Sequence, residues 1–296
     1  MSGSPILLAI IGIAFLSGMD AAMKSVALAE PIVVATWLRY VFGGLFTLPL
    51  VFLLKRPMPD RTGLKVHMWR GLILTFTSLT FFYSLSILTL AETITIAFSA
   101  PLVVPFMAAV FLKEKLKPGA ILAVAAGFLG VLISVQGEPG TTATDTERLF
   151  ATASALTSAI LYAAATLMLR ARAPKDDGLA ITALATVIPL VLLTPAALIF
   201  WPVPQVEVLP NAALAGLLGM FGVLALAAAY AKAEAQVLIV FEYTGLGWAA
   251  LLGWLVFGET SDWPVFLGAA IIAGACLYIA FAERRAARIP VKRTNI

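Results

Sequence analysis

The sequence predicts an all-α integral membrane protein, with ten transmembrane helices arranged as two inverted five-helix repeats. Three observations carry that prediction. The 296 residues are 61% hydrophobic and 12% charged with a mean hydropathy of +0.99, whereas a water-soluble globule has about 45–50% apolar and about 25% charged residues. The apolar residues fall in runs of about 20, the length of one lipid-spanning helix, broken by charge, Pro or Gly. A short segment closing the fourth run recurs at the end of the ninth. Soluble enzyme classes are thereby excluded, and ten spans leave no length for a separate catalytic domain.

The first run covers residues 5–26. Its apolar start looks like a secretory signal, yet no Lys or Arg precedes it, and Asp20 and Lys24 end it where a cleavage site of small residues would stand. It is therefore read as a helix. Further helices are expected over residues 31–54, 68–90, 93–112 and 118–135, then 149–169, 179–201, 211–231, 237–257 and 264–282. No alternation of period two is sustained, which sets aside a membrane β-barrel. The runs also lack a charged face opposite an apolar one, so they span lipid and do not lie on it.

Cytoplasmic loops collect Lys and Arg. With the N-terminus inside, all of the 20 Lys and Arg except Lys24, Arg39 and Arg148 fall in inside segments. Both termini are thus expected in the cytoplasm of a bacterial-type inner membrane. The net charge of +4 points to no nucleic acid, because the basic residues sit between apolar runs. The single cysteine, Cys276, can form no internal disulfide, and the single histidine, His67, reads as a loop residue without metal-ligand companions. No metal and no cofactor are expected.

The segment from Val110 to Glu114, just before Pro118, is echoed by Leu255 to Glu259 before Pro264. Five helices per half is an odd number, so the two glutamates face opposite sides of the membrane. That is an inverted repeat, a ground plan of secondary transporters whose substrate site lies near mid-membrane between the halves. The expected division is a first repeat over 1–136, an outside linker over 137–148, a second repeat over 149–283 and a basic tail over 284–296.

The pattern Thr36, Trp37 and Arg39 in the second helix, Pro101 and Pro105 ahead of Glu114, Leu161 to Ala163 in the sixth helix, and Gly258 with Glu259 resembles the ten-helix EamA branch of the drug/metabolite transporter superfamily. The resemblance covers essentially the whole chain. It implies ATP-independent export or exchange of small polar metabolites, often amino acids and their analogues, with a single protomer sufficient. Lys113 stands where the family has a glycine, and Gly245 with Gly247 replaces a second-half proline matching Pro101.

An ionisable side chain inside a span costs about 2.5–3.5 kcal/mol or more, and is a functional candidate by default. Asp20, Arg39 and Glu242 meet that description. Asp20 and Arg39 lie at matching depths, so they either pair with each other, with Lys24 sharing the carboxylate, or meet substrate or a proton. Glu242 is a proton carrier or an interfacial residue, and Asp20 and Glu242 are the proton-coupling candidates. In the third helix Thr77, Thr80 and Ser84 share an arc beside Tyr83, lining a cavity or bonding between helices. Tyr83, Phe98, Tyr162, Tyr243 and Trp248 lie away from the interfacial aromatic belts and either pack or stack on a substrate. Gly216, Gly219, Gly222, Gly245, Gly247 and Gly253 permit close helix approach. No G-x-x-x-x-G-K-[ST] sequence occurs, no ring of like charges suggests a channel, and no nucleophile with a base lies within the spans.

Overall fold

The structure, a computed structural model, describes residues 5–100, 102–103, 107, 118–134, 136, 143–199, 205–232 and 244–287. These form α1 (Pro5–Ala29), α2 (Ile32–Leu53), α3 (Arg61–Ile87), α4 (Leu90–Ala97), α5 (Pro118–Ser134), α6 (Asp145–Arg172), α7 (Gly178–Ile199), α8 (Leu209–Tyr230), α9 (Thr244–Phe257) and α10 (Trp263–Ala287). A 3-10 turn, Val206–Val208, leads into α8. Six of these segments are long and apolar enough to cross a membrane: α1, α2, α3, α6, α7 and Val206–Tyr230. Pro101, Pro105, Lys113, Glu114, Glu242 and Tyr243 lie outside the described residues.

Three helices start earlier than hydropathy predicts, each because a side chain satisfies the free N–H groups of a first turn. The Asp60 carboxylate accepts from Gly63 N at 2.7 Å and starts α3 at Arg61. His67 therefore lies in a helix, 1% exposed, and not in a loop. Thr89 accepts from Glu92 N and starts α4. Thr144 and Glu147 form a reciprocal capping box that starts α6 at Asp145, inside the stretch expected to be linker.

Packing interleaves the two halves of the chain. α1 packs on α8 and α9, α3 on α6 and α7, α2 on α7 and α8, α4 on α6 and α9, and α5 on α10. Replacing each helix by the one five places along turns α1 on α8 into α6 on α3, α2 on α8 into α7 on α3, and α1 on α9 into α6 on α4. The pairs α2 with α7, α4 with α9 and α5 with α10 map onto themselves. The approach of α8 to α2 is close enough to require glycine: a Cβ on Gly216 would sit 2.6 Å from Gly43 N. Large apolar side chains such as Phe52, Ile199 and Leu255 cover the outside of the bundle, a surface suited to lipid and rare on soluble monomers.

Candidate functional site

At one end of the bundle, charged side chains of the two halves meet in direct contact. Lys24 of α1 pairs with Glu259, just beyond α9, at 2.5 Å, and donates to Leu88 O at 2.6 Å. The second oxygen of Glu259 accepts from Leu90 N at 2.8 Å. Close by, Arg148 of α6 pairs with Glu92 of α4 at 2.9 Å. Lys24, Glu92 and Arg148 are all buried. Lys24 thus does not share the Asp20 carboxylate, and Arg148 does not sit in an open loop. Below these pairs a core of Met23, Val26, Val34, Phe82, Leu85 and Leu90 fills the bundle.

The opposite end carries a second cluster. Arg172 grips Asp176 through two hydrogen bonds of 2.7 Å and reaches Asp60 at 2.8 Å. His67 Nε2 meets the same Asp176 carboxylate at 2.9 Å, and Arg56 faces Asp177 at 3.4 Å. The Arg172 hydrogen bonds hold the Asp176 carboxyl below the usual carboxylate range, against the effect of its partial burial.

Between the two ends lies a cavity of about 240 Å³. Its walls reach Tyr230, the last residue of α8, and Gly245, the second of α9, but stop at Asp20, Arg39, Phe82 and Gly216, all short of the Lys24 end. The cavity is therefore closed beneath the Lys24–Glu259 and Arg148–Glu92 pairs and extends toward the Asp176 end.

Asp20, Arg39, Thr77, Phe98 and Tyr162 line this cavity, so the structure brings five of the sequence candidates together. Asp20 is 7% exposed, and among the described residues no side chain or backbone group hydrogen-bonds or ion-pairs with it. Arg39 does not pair with it within 4 Å. The guanidinium instead donates Nε–H to Met19 Sδ at 3.1 Å and lies over the rings of Tyr40 and Phe82, at 4.6 and 5.7 Å from their centroids.

Four candidates lie elsewhere. Thr80 donates to Phe76 O within its own helix, Tyr83 packs on a cluster with Leu88, Ile96 and Ala151, Ser84 is fully buried, and Trp248 is exposed on α9. The cavity face of α3 is instead Arg70, Leu74, Thr77, Ser78, Phe81 and Phe82, one helical stripe at i, i+4, i+7, i+8, i+11 and i+12. Arg70, counted in the sequence among the inside basic residues although it falls within the expected helix 68–90, is 5% exposed, donates Nε–H to Ala165 O at 3.2 Å and lines the cavity. Tyr40, which bonds Ser78 at 2.7 Å, was also missed, as was the Glu92 pair. The Thr89-x-x-Glu92 spacing, a helix-start signature, was the available sign of Glu92.

A bundle of apolar helices around a largely apolar cavity that holds a few charged side chains, with ion pairs bonding its halves together, is an architecture suited to a membrane transporter. The profile of the EamA-like transporter family matches residues 3–136 and again 149–281, and the chain belongs to that family. It is 25% identical to an S-adenosylmethionine uptake transporter of Rickettsia bellii, over 84% of this chain and 83% of that protein. It is 30% identical to a riboflavin transporter of Rhizobium johnstonii, over 94% of this chain and 91% of that one. A solved crystal structure superposes with a TM-score of 0.63 at 17% identity, covering 95% of this chain and 98% of that chain, which shows a shared fold. The protein is a transporter and not an enzyme.

Proposed function

We propose that the protein is a secondary carrier for amino acids or closely related small metabolites, working by alternating access of two inverted five-helix halves. The observation that carries this reading is the cavity. It holds at Asp20 a carboxylate without a partner among the described residues, and its walls extend to only one end of the bundle. A zwitterion supplies what Asp20 and the nearby Arg39 lack, an ammonium for one and a carboxylate for the other. The exchange of packing partners under a shift of five helices, and the two family matches, support ten spans in two repeats. The basic residues favour cytoplasmic termini in an inner membrane, with the Lys24 end outside and the cavity facing inward. One protomer contains both halves of the site.

Export is the direction implied by the family resemblance, whereas the Rickettsia relative is named for uptake. With no nucleotide site in the sequence, the gradients of substrate and protons set the direction here. A second reading takes its support from the aromatic wall of Tyr40, Phe81, Phe82, Phe98 and Tyr162. Such a wall suits a flat-ringed metabolite, in line with the names S-adenosylmethionine and riboflavin. Proteoliposome uptake of radiolabelled amino acids, S-adenosylmethionine and riboflavin, with and without a pH gradient, separates these readings. Saturable uptake of amino acids, competed by one another, is expected. Flux of riboflavin alone overturns the amino-acid assignment.

A further inference from the structure

Arg70 stands about 14 Å into α3 by the 1.5 Å rise per residue, between the charged cluster of the Asp176 end and the level of Asp20. Its backbone neighbour Gly71 packs tightly on Ile188 of α7, where a Cβ would come within 2.5 Å. That contact fixes the register of α3 and turns Arg70 into the cavity. Nε is used by Ala165 O. Among the described residues no acceptor meets the two terminal nitrogens, and no carboxylate pairs with the guanidinium, although the side chain is 5% exposed. The terminal nitrogens are not enclosed by protein but reach the cavity space, and the planar fork matches a carboxylate or a pair of carbonyl-type acceptors. The aromatic side chains of Phe81 and Phe82 continue the same helix face toward Asp20 and Arg39.

We propose that Arg70 forms a second polar subsite of the cavity, which binds an anionic or acceptor-bearing far end of a substrate whose amino-acid head is held at Asp20 and Arg39. The preferred substrate is then an α-amino acid with a ring or chain that ends in hydrogen-bond acceptors. A purely hydrocarbon side chain is the poorer ligand, because it covers the cavity-facing Arg70 donors without offering them an acceptor. The subsite rests on the amino-acid reading above.

The test compares L-phenylalanine with L-4-carboxyphenylalanine, which differ only in the distal carboxylate, by direct calorimetric titration of each into the purified full-length protein. The carboxylated compound is expected to bind the native protein about tenfold more tightly, the scale of one charge-assisted hydrogen-bonded contact. R70Q removes that preference, bringing the two affinities together; R70K, which keeps the charge but not the fork, gives an intermediate ratio. A preference that persists in folded R70Q, or one unchanged in R70K if R70Q does not fold, overturns the subsite alone, as does the absence of a preference in the native protein. Failure of both compounds to bind the native protein overturns the amino-acid reading and the subsite with it.

Discussion

Asp20 and Lys24 lie one helical turn apart on α1 and are both buried, yet their environments differ in kind. Lys24 is satisfied by Glu259 and Leu88 O, whereas Asp20 has no protein partner among the described residues. Removing one member of a buried pair strands the other charge, at a typical cost of about 3–5 kcal/mol. Lys24→Ala is therefore expected to lower thermal stability strongly, while Asp20→Asn leaves the melting temperature unchanged or raised and abolishes substrate binding. Thermal melts alongside binding isotherms of the two variants check this contrast. If Asp20 or Glu242 carries protons, Asp20→Asn or Glu242→Gln flattens the pH profile of flux; a profile unaltered in both removes them from coupling. At the other end, Arg172 lowers the folded-state value of Asp176 below its unfolded value of about 4. The resulting stability is present above pH 4 and is lost as pH falls through the lowered folded value. Melting curves are expected to drop below about pH 4, and less so in Asp176→Asn.

Among the elements, α2 and α8 show how much packing depends on a missing side chain. Gly216→Ala inserts a methyl 2.6 Å from Gly43 N, against backbone that cannot rotate away. Overpacking of this kind costs about 1–3 kcal/mol, so a lowered melting temperature is expected. Gly247→Ala, with nothing within 4 Å of its Cβ position, leaves it unchanged. The helix ends also explain which boundaries were legible. Apolar runs locate the middle of a span well, but α3 and α6 begin within polar sequence, at caps made by Asp60 and Thr144, and α4 begins at a Thr89 cap inside an apolar run. A hydropathy window averages the first two caps into the neighbouring loop and the third into the preceding helix. That averaging hid His67, which lies inside α3. The stripe from Arg70 to Phe82 falls within the expected helix 68–90 and was readable as helical spacing, but Arg70 was counted with the inside basic residues, and Thr80 and Ser84 drew attention by polarity although they do not line the cavity.

For the molecule as a whole, two ion pairs between the halves close the Lys24 end, and a third cluster gathers at the other. Under the alternating access proposed above, the pairs at the Lys24 end are expected to part when the cavity opens at that end. Lys24→Glu is expected to abolish flux, and Lys24→Glu with Glu259→Lys to restore part of it; absence of any restoration means the pair does not act as a unit. Orientation has its own check. In a Cys276→Ser background, a cysteine added at the C-terminus is expected to react with an impermeant maleimide only in inside-out vesicles. By itself the sequence determined that the chain is helical and lives in lipid, that it belongs with transporters, and that Asp20 and Arg39 are charges within spans, because hydropathy and the cost of a charge in hydrocarbon are properties of short segments. Only the tertiary structure decided which charges meet. Lys24 takes Glu259 and not Asp20, Arg148 takes Glu92, and Arg70 enters the cavity, since each depends on helices far apart in the chain whose rotation and depth are set by close packing.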